Sequence, residues 1–219
     1  MANQSLKEEV RRVIREDIIS NKLQPGQRIV ETKIAKDMGI SQVPVREALR
    51  GLEEEGLVKS IKYRGSIVTE INVSEMYHIF LLRSKIEESA ISLLLPNLTK
   101  RDIGELYDIV DKMALISKTE DYSVQSALDL EFHYTIVKWS NIDTFVRMWS
   151  ILNGHIRRFI TFIHPMIKNK QTEVFNDHLN LVKVLESRDV EKAKIAFKNH
   201  ILEFFVKNEE LISKIFQEK

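Results

Sequence analysis

The sequence predicts a mainly α-helical fold in two parts, a short N-terminal module of three helices and a β-hairpin followed by an all-α antiparallel helical bundle. Three observations predict it. Only seven Gly and four Pro interrupt 219 residues, few for a sheet-rich chain. Strand-like runs are confined to Leu57–Ile61 and Ser66–Ile71. Beyond Asn72 the apolar residues keep helical spacing. The boundary falls near Ile71–Ser74, giving domains of residues 1–72 and 73–219.

In the first part, Leu6, Val10, Val13, Ile14 and Ile18 recur at helical spacing, and Pro25-Gly26 breaks that helix. A short helix from about Glu31 to Met38 is stopped by Gly39. Ser41 precedes another, from about Val43 to Glu55, which Gly56 ends. Between the two β-prone runs stands Lys62-Tyr63-Arg64-Gly65, a hairpin tip with basic residues and a turn glycine. In the second part, helical patterns cover roughly 73–95, 99–117, 123–140, 144–164, 171–187 and 189–216. Pro96, Asn141-Ile142-Asp143, Pro165 and Ser187-Arg188-Asp189 separate them, and such short connections make antiparallel neighbours.

Composition excludes several classes. The absence of cysteine removes disulfides, thiolate zinc sites and cysteine nucleophiles. The first residues lack an uncharged apolar stretch, and no apolar run approaches the ~18 residues of a membrane span. A cytoplasmic protein without a membrane partner is expected. Net charge is +1, and residues 1–72 carry 13 Lys/Arg against 11 Asp/Glu. Any nucleic-acid reading therefore rests on where charges sit rather than on their number.

Their placement favours DNA. Ile34, Ala35, Met38, Ile40, Val45, Leu49, Leu52 and Leu57 form a compact apolar set holding two short helices across Gly39-Ile40-Ser41. That is the packing of a helix-turn-helix, and the hairpin makes it a winged one. Arg46 and Arg50 lie four apart on the face opposite Val45, Leu49 and Leu52. With Gln42 and Val43 they would meet the groove floor or its phosphates. Arg64 would reach an adjacent phosphate or the minor groove. The plain alternative is a surface helix whose Arg46 pairs with Glu53 or Glu54.

Pro25-Gly26, Glu31, Ile34-Ala35, Gly39-Ile40-Ser41 and Pro44-Val45-Arg46-Glu47-Ala48-Leu49, with Leu52-Glu53, Glu55-Gly56-Leu57-Val58 and Arg64-Gly65, resemble the N-terminal domain of the GntR family of bacterial regulators. The likeness spans residues 6–71. It implies a homodimer binding double-stranded, palindromic operator DNA, with Arg46 at a position the family uses for contact. Gln42 and Val43 stand where the family usually has Arg and Thr, and Thr32 where it often has Arg. Gln can read adenine and Val can touch a thymine methyl, so the operator sequence is expected to differ.

The second part carries another signal. Asp129 and His133 share one helix face. His178 is in step with Val174, Leu181 and Leu185, and His200 with Ala193, Phe197 and Phe204. One carboxylate and three imidazoles thus point into the bundle, where unpaired groups cost several kcal/mol. Either each is satisfied separately by hydrogen bonds, or one divalent transition metal (Zn, Ni, Mn or Fe) compensates all four. Asp129-Leu130-Glu131-Phe132-His133, Asn141, His178 and His200 resemble the FCD effector domain of the FadR subgroup of GntR regulators, over about 75–206. The resemblance implies an Asp and three His around a metal, and a small organic acid or sugar acid as effector. Arg83 matches a position where the family often keeps an arginine facing the ligand. It would clasp a carboxylate, or else form a salt bridge with Glu87. Arg157 or Arg158 is a candidate for a second positive group. His155 and His164 read as surface or satisfied residues, and Trp139, Trp149 and Phe159–Phe162 as core.

The expected function is an operator-binding transcription regulator and not an enzyme. Two rivals remain open at this level. A metal-dependent helical-bundle enzyme needs a general base beside the metal, and Glu131 points off that face. A dimerisation-only bundle would keep its histidines for structure.

Overall fold

In the computed structural model, residues 2–62, 65–117, 119, 122–163 and 171–217 are described below. The chain divides into two compact units, Met1–Asn72 with Arg157–Phe162, and Val73–Ile156 with Ile163–Lys219.

The first unit begins with α1 (Ala2–Ile19), then β1 (Arg28–Ile29), α2 (Glu31–Asp37), α3 (Gln42–Glu54), β2 (Val58–Ile61) and β3 (Gly65–Val68). Two glycines set its geometry. Gly39 (φ 65°) and Gly56 (φ 74°) stand in the left-handed region just past α2 and α3. At each, the following amide reaches back five residues, Ile40 to the Ala35 carbonyl (2.9 Å) and Leu57 to the Leu52 carbonyl (3.0 Å). These Schellman ends satisfy orphan carbonyls while the apolar pair at each end packs together. Val10, Ile14, Ile18, Val45, Ala48, Leu49, Leu52, Leu57 and Val68 form the core. Each fully buried aliphatic side chain contributes about 1.5–3 kcal/mol, enough to fix α3 against α1 and α2.

The hairpin is present in antiparallel register, Val58 opposite Val68 and Ile61 opposite Gly65. A third strand joins it, giving the order β1-β3-β2. Sequence reading missed β1. Two residues carry no periodic signal; Arg28 and Ile29 are extended because β3 offers partners at Ile67 and Ser66.

The second unit contains α4 (Val73–Leu94), a single 3-10 turn (Leu95–Asn97), α5 (Lys100–Ile116), α6 (Tyr122–Trp139), α7 (Asp143–Ile163, whose Arg157–Phe162 cluster with the first unit), α8 (Gln171–Glu186) and α9 (Val190–Gln217). A capping box starts α5: Thr99 accepts from the Asp102 amide, and Asp102 accepts from the Thr99 amide at 2.7 Å. Asn141 turns the chain from α6 into α7 at φ 56°, a conformation Asn tolerates better than most side chains. α4 packs on α6 and α9, α5 on α6 and α8, and α8 on α9. Leu106, Met113, Phe132, Ile136, Val182, Leu185 and Phe197 fill the centre. Among the described residues no helix is long and apolar enough to cross a membrane.

Candidate DNA-binding face and candidate metal centre

In the first unit α3 is amphipathic. Pro44, Val45, Ala48, Leu49 and Leu52 are buried, while Gln42, Val43, Arg46 and Arg50 are exposed, as is Thr32 on α2. Val43 is 60% exposed. Arg46 pairs with Glu31 at 3.2 Å, not with Glu53 or Glu54, because Glu53 accepts from the Ser60 amide and hydroxyl. Arg50 pairs with Glu47 at 2.8 Å. Such exposed pairs are worth at most about 1 kcal/mol. Both guanidiniums can therefore exchange a carboxylate for a phosphate or a base edge at little cost. Gly65 opens β3 at φ 78°. Arg64 lies outside the described residues.

In the second unit, α6 supplies Asp129 and His133, α8 supplies His178, and α9 supplies His200. One ligand atom from each lies within 4.8 Å of the others. Around a metal with bonds near 2.1 Å, ligand atoms stand about 3–4 Å apart, so the four are gathered at nearly that spacing. His133 and His178 are buried, Asp129 and His200 partly so. The imidazole rings lie 4.6–5.4 Å apart between centroids.

Backbone and side-chain contacts set the tautomers. His178 Nδ1 lies 2.7 Å from the Val174 carbonyl oxygen, which only accepts, so Nδ1 carries the proton and a neutral ring turns its lone pair out through Nε2. Among the described residues that Nε2 makes no well-aligned hydrogen bond, yet it sits 3.1 Å from Asp129 Oδ1. A lone pair facing a carboxylate calls for a cation between them or a second proton on the ring. His133 Nδ1 lies 2.6 Å from Glu87 Oε2, so a ring protonated there turns its lone pair out through Nε2 as well.

The electrostatics fit a cation. Enclosure, then the neighbouring imidazoles, holds His200 well below the ordinary histidine range. Enclosure also lowers His133 against the pull of Glu87. Burial would raise Asp129, but its contacts with His178 and His133 and the field of Arg83 outweigh it, and it stays ionised far below the usual carboxylate range. Two neutral imidazoles beside an ionised carboxylate are ligands already in their binding forms. Glu131 is exposed, off this face, so the general base that a hydrolytic metal site requires is not supplied there.

Arg83 is 3% exposed, and the salt bridge with Glu87 is formed. Its Nε donates to Glu87 Oε1 at 2.7 Å, while one terminal nitrogen has no partner among the described residues. Sequence reasoning had Glu87 as a salt-bridge partner of Arg83 but missed its burial beside His133. Glu87 is fully buried on the α4 stripe that carries Phe80, Ser84 and Ile91, and it also accepts from Trp149 Nε1 at 2.8 Å. A glutamate in phase with that stripe was the available signal. Trp149 is core, as expected, but with its indole N–H committed. Arg157 and Arg158 do not serve the centre. They fall in the first unit, where Arg158 donates to Thr69 Oγ1 at 2.9 Å and to the Thr69 carbonyl. His155 is partly buried with a partner, and His164 lies outside the described residues.

Comparison with known proteins decides the class. Residues 6–68 match the bacterial regulatory proteins of the gntR family, and residues 78–203 match the FCD domain. The chain belongs to the GntR family. Its relatives include the Bacillus subtilis transcriptional regulator YdhC, 24% identical over 92% of this chain and 88% of the relative. The Bacillus subtilis gluconate operon repressor is 26% identical over 80% of this chain and 74% of the relative. Escherichia coli McbR has a similar fold, with a TM-score of 0.76 and 22% identity, covering 97% of this chain and 98% of that structure. This GntR regulator is therefore a transcription regulator rather than an enzyme.

Proposed function

We propose that operator binding by this GntR regulator is controlled by a small carboxylate held at a divalent transition metal in the FCD domain. The observation that carries the reading is the forced orientation of His178, whose unshared Nε2 faces the Asp129 carboxylate at 3.1 Å. Asp129, His133, His178 and His200 would hold the ion. An imidazole-rich set with one carboxylate suits zinc, nickel, manganese or iron better than calcium. When bound, the metal would supply a Lewis-acidic position for an anionic oxygen. Arg83, buried with an unpartnered terminal nitrogen, would take the effector's other carboxylate oxygen. A relative named for a gluconate operon is in keeping with an organic or sugar acid.

The winged helix would read DNA with Gln42, Val43, Arg46 and Arg50 in the major groove, with Thr32, Arg64 and Gly65 at its edges. Each copy offers one recognition helix and so reads one half-site, which makes a cytoplasmic homodimer on a palindrome the working form. The carboxylate would act by binding one arrangement of the dimer more tightly than another.

The test is elemental analysis of the full chain purified without an affinity tag. The expected result is close to one transition metal per chain, removed by a strong chelator. Metal-free protein that takes up no zinc, nickel, manganese or iron would overturn the reading.

A further inference from the structure

One buried carboxylate belongs neither to the DNA-binding face nor to the metal-ligand set. Glu87 is wholly enclosed on α4 and is met by three donors. Arg83 Nε (2.7 Å) and Trp149 Nε1 (2.8 Å) reach Oε1, and His133 Nδ1 (2.6 Å) reaches Oε2. A buried ion costs several kcal/mol unless its partners are well placed, and replacing such a group by apolar side chains is often neutral or stabilising. Stability alone is thus a weak reason for a glutamate here. Its effect on His133 is specific. An ionised carboxylate cannot donate, and Glu87, paired with the Arg83 guanidinium at 2.7 Å and accepting from the Trp149 indole at 2.8 Å, is held in that form. The proton of a neutral His133 therefore sits on Nδ1, and the lone pair is left on Nε2, toward Asp129, His178 and His200. Val174 does the same for His178 with a backbone oxygen.

We propose that Glu87 is the positioning residue of the metal centre: it selects the His133 tautomer whose Nε2 can ligate, while Arg83 and Trp149 anchor its other oxygen. This rests on the metal reading above. Groups that orient ligating imidazoles in this way change metal affinity by about 10–100-fold when lost. Glu87→Gln isolates the effect, because it preserves size. The amide oxygen can still accept from Arg83 and Trp149. Its NH2 then donates to His133 Nδ1, which moves the ring proton to Nε2 and closes the ligating position.

The experiment titrates zinc into metal-free full chain against a chromophoric chelator, for wild type and Glu87→Gln. In parallel, imidazole nitrogen shifts are read by NMR in the metal-free wild type, which does not depend on the variant folding. The expected results are zinc affinity about 10–100-fold weaker in the variant, and a His133 proton on Nδ1 in the wild type. Equal affinities, or a wild-type proton on Nε2, would overturn the role of Glu87 while leaving the metal itself in place. A wild type that takes up no zinc removes the metal reading and this role with it.

Discussion

Replacing Arg46 with alanine lowers the affinity of the full chain for a duplex selected in vitro by about 30-fold or more. Arg46 is more than half exposed on α3, held by a weak pair with Glu31. A good bidentate base contact contributes about 1–3 kcal/mol of discrimination, and the proposed homodimer would lose it twice. Binding titrations at several salt concentrations separate two roles. Loss of a phosphate contact weakens all sequences alike and flattens the salt dependence by about one unit per contact. Loss of a base contact relaxes the preference at one position of each half-site. Arg46→Ala protein that binds as tightly as wild type, with the same salt slope, contradicts the assignment of α3 as the reading helix.

Replacing His178 with alanine abolishes stoichiometric metal. It removes a ligand outright, so the loss exceeds the ~10–100-fold that follows when a supporting group is lost, and elemental analysis reads it directly. Metal affinity in the wild type falls as pH falls, because protons compete for the imidazoles. Stability of the metal-free protein moves the same way. His133 and His200 are held below the ordinary histidine value when folded, so the unfolded chain binds more protons once pH drops below about 6.5. Their contribution is present above that value and lost beneath it, and the ionised Asp129 and Glu87 add a further loss in the carboxylate range. Thermal melts of the full chain between pH 8 and pH 5 check the direction. A His178→Ala protein that retains one metal per chain would remove that residue from the ligand set.

Much of this organisation was legible in the sequence because the chemistry repeats the period of the core. Asp129 and His133 share a face by spacing alone, and His178 and His200 fall in phase with Leu181 and Phe197, which are buried. The helices were legible for the same reason, since their boundaries carry local marks such as Gly39, Gly56 and Asn141. What escaped was set by the tertiary environment. β1 is a strand only through β3. Glu87 looked like the partner of an ordinary helix-surface ion pair, and nothing local shows that Trp149 and His133, 62 and 46 residues away along the chain, converge on it. The Arg46 partner was misjudged because Glu31 comes from α2, across the turn.

If occupancy of the FCD site changes operator affinity, the two sites are thermodynamically coupled. The direct measurement is the dissociation constant of the metal-loaded full chain for its selected duplex, with and without a carboxylate that binds the protein, chosen by calorimetry from mono- and dicarboxylates and sugar acids. The predicted result is a change of about 5–150-fold, absent in Arg83→Ala. An operator affinity that stays the same while the carboxylate saturates the protein would contradict it.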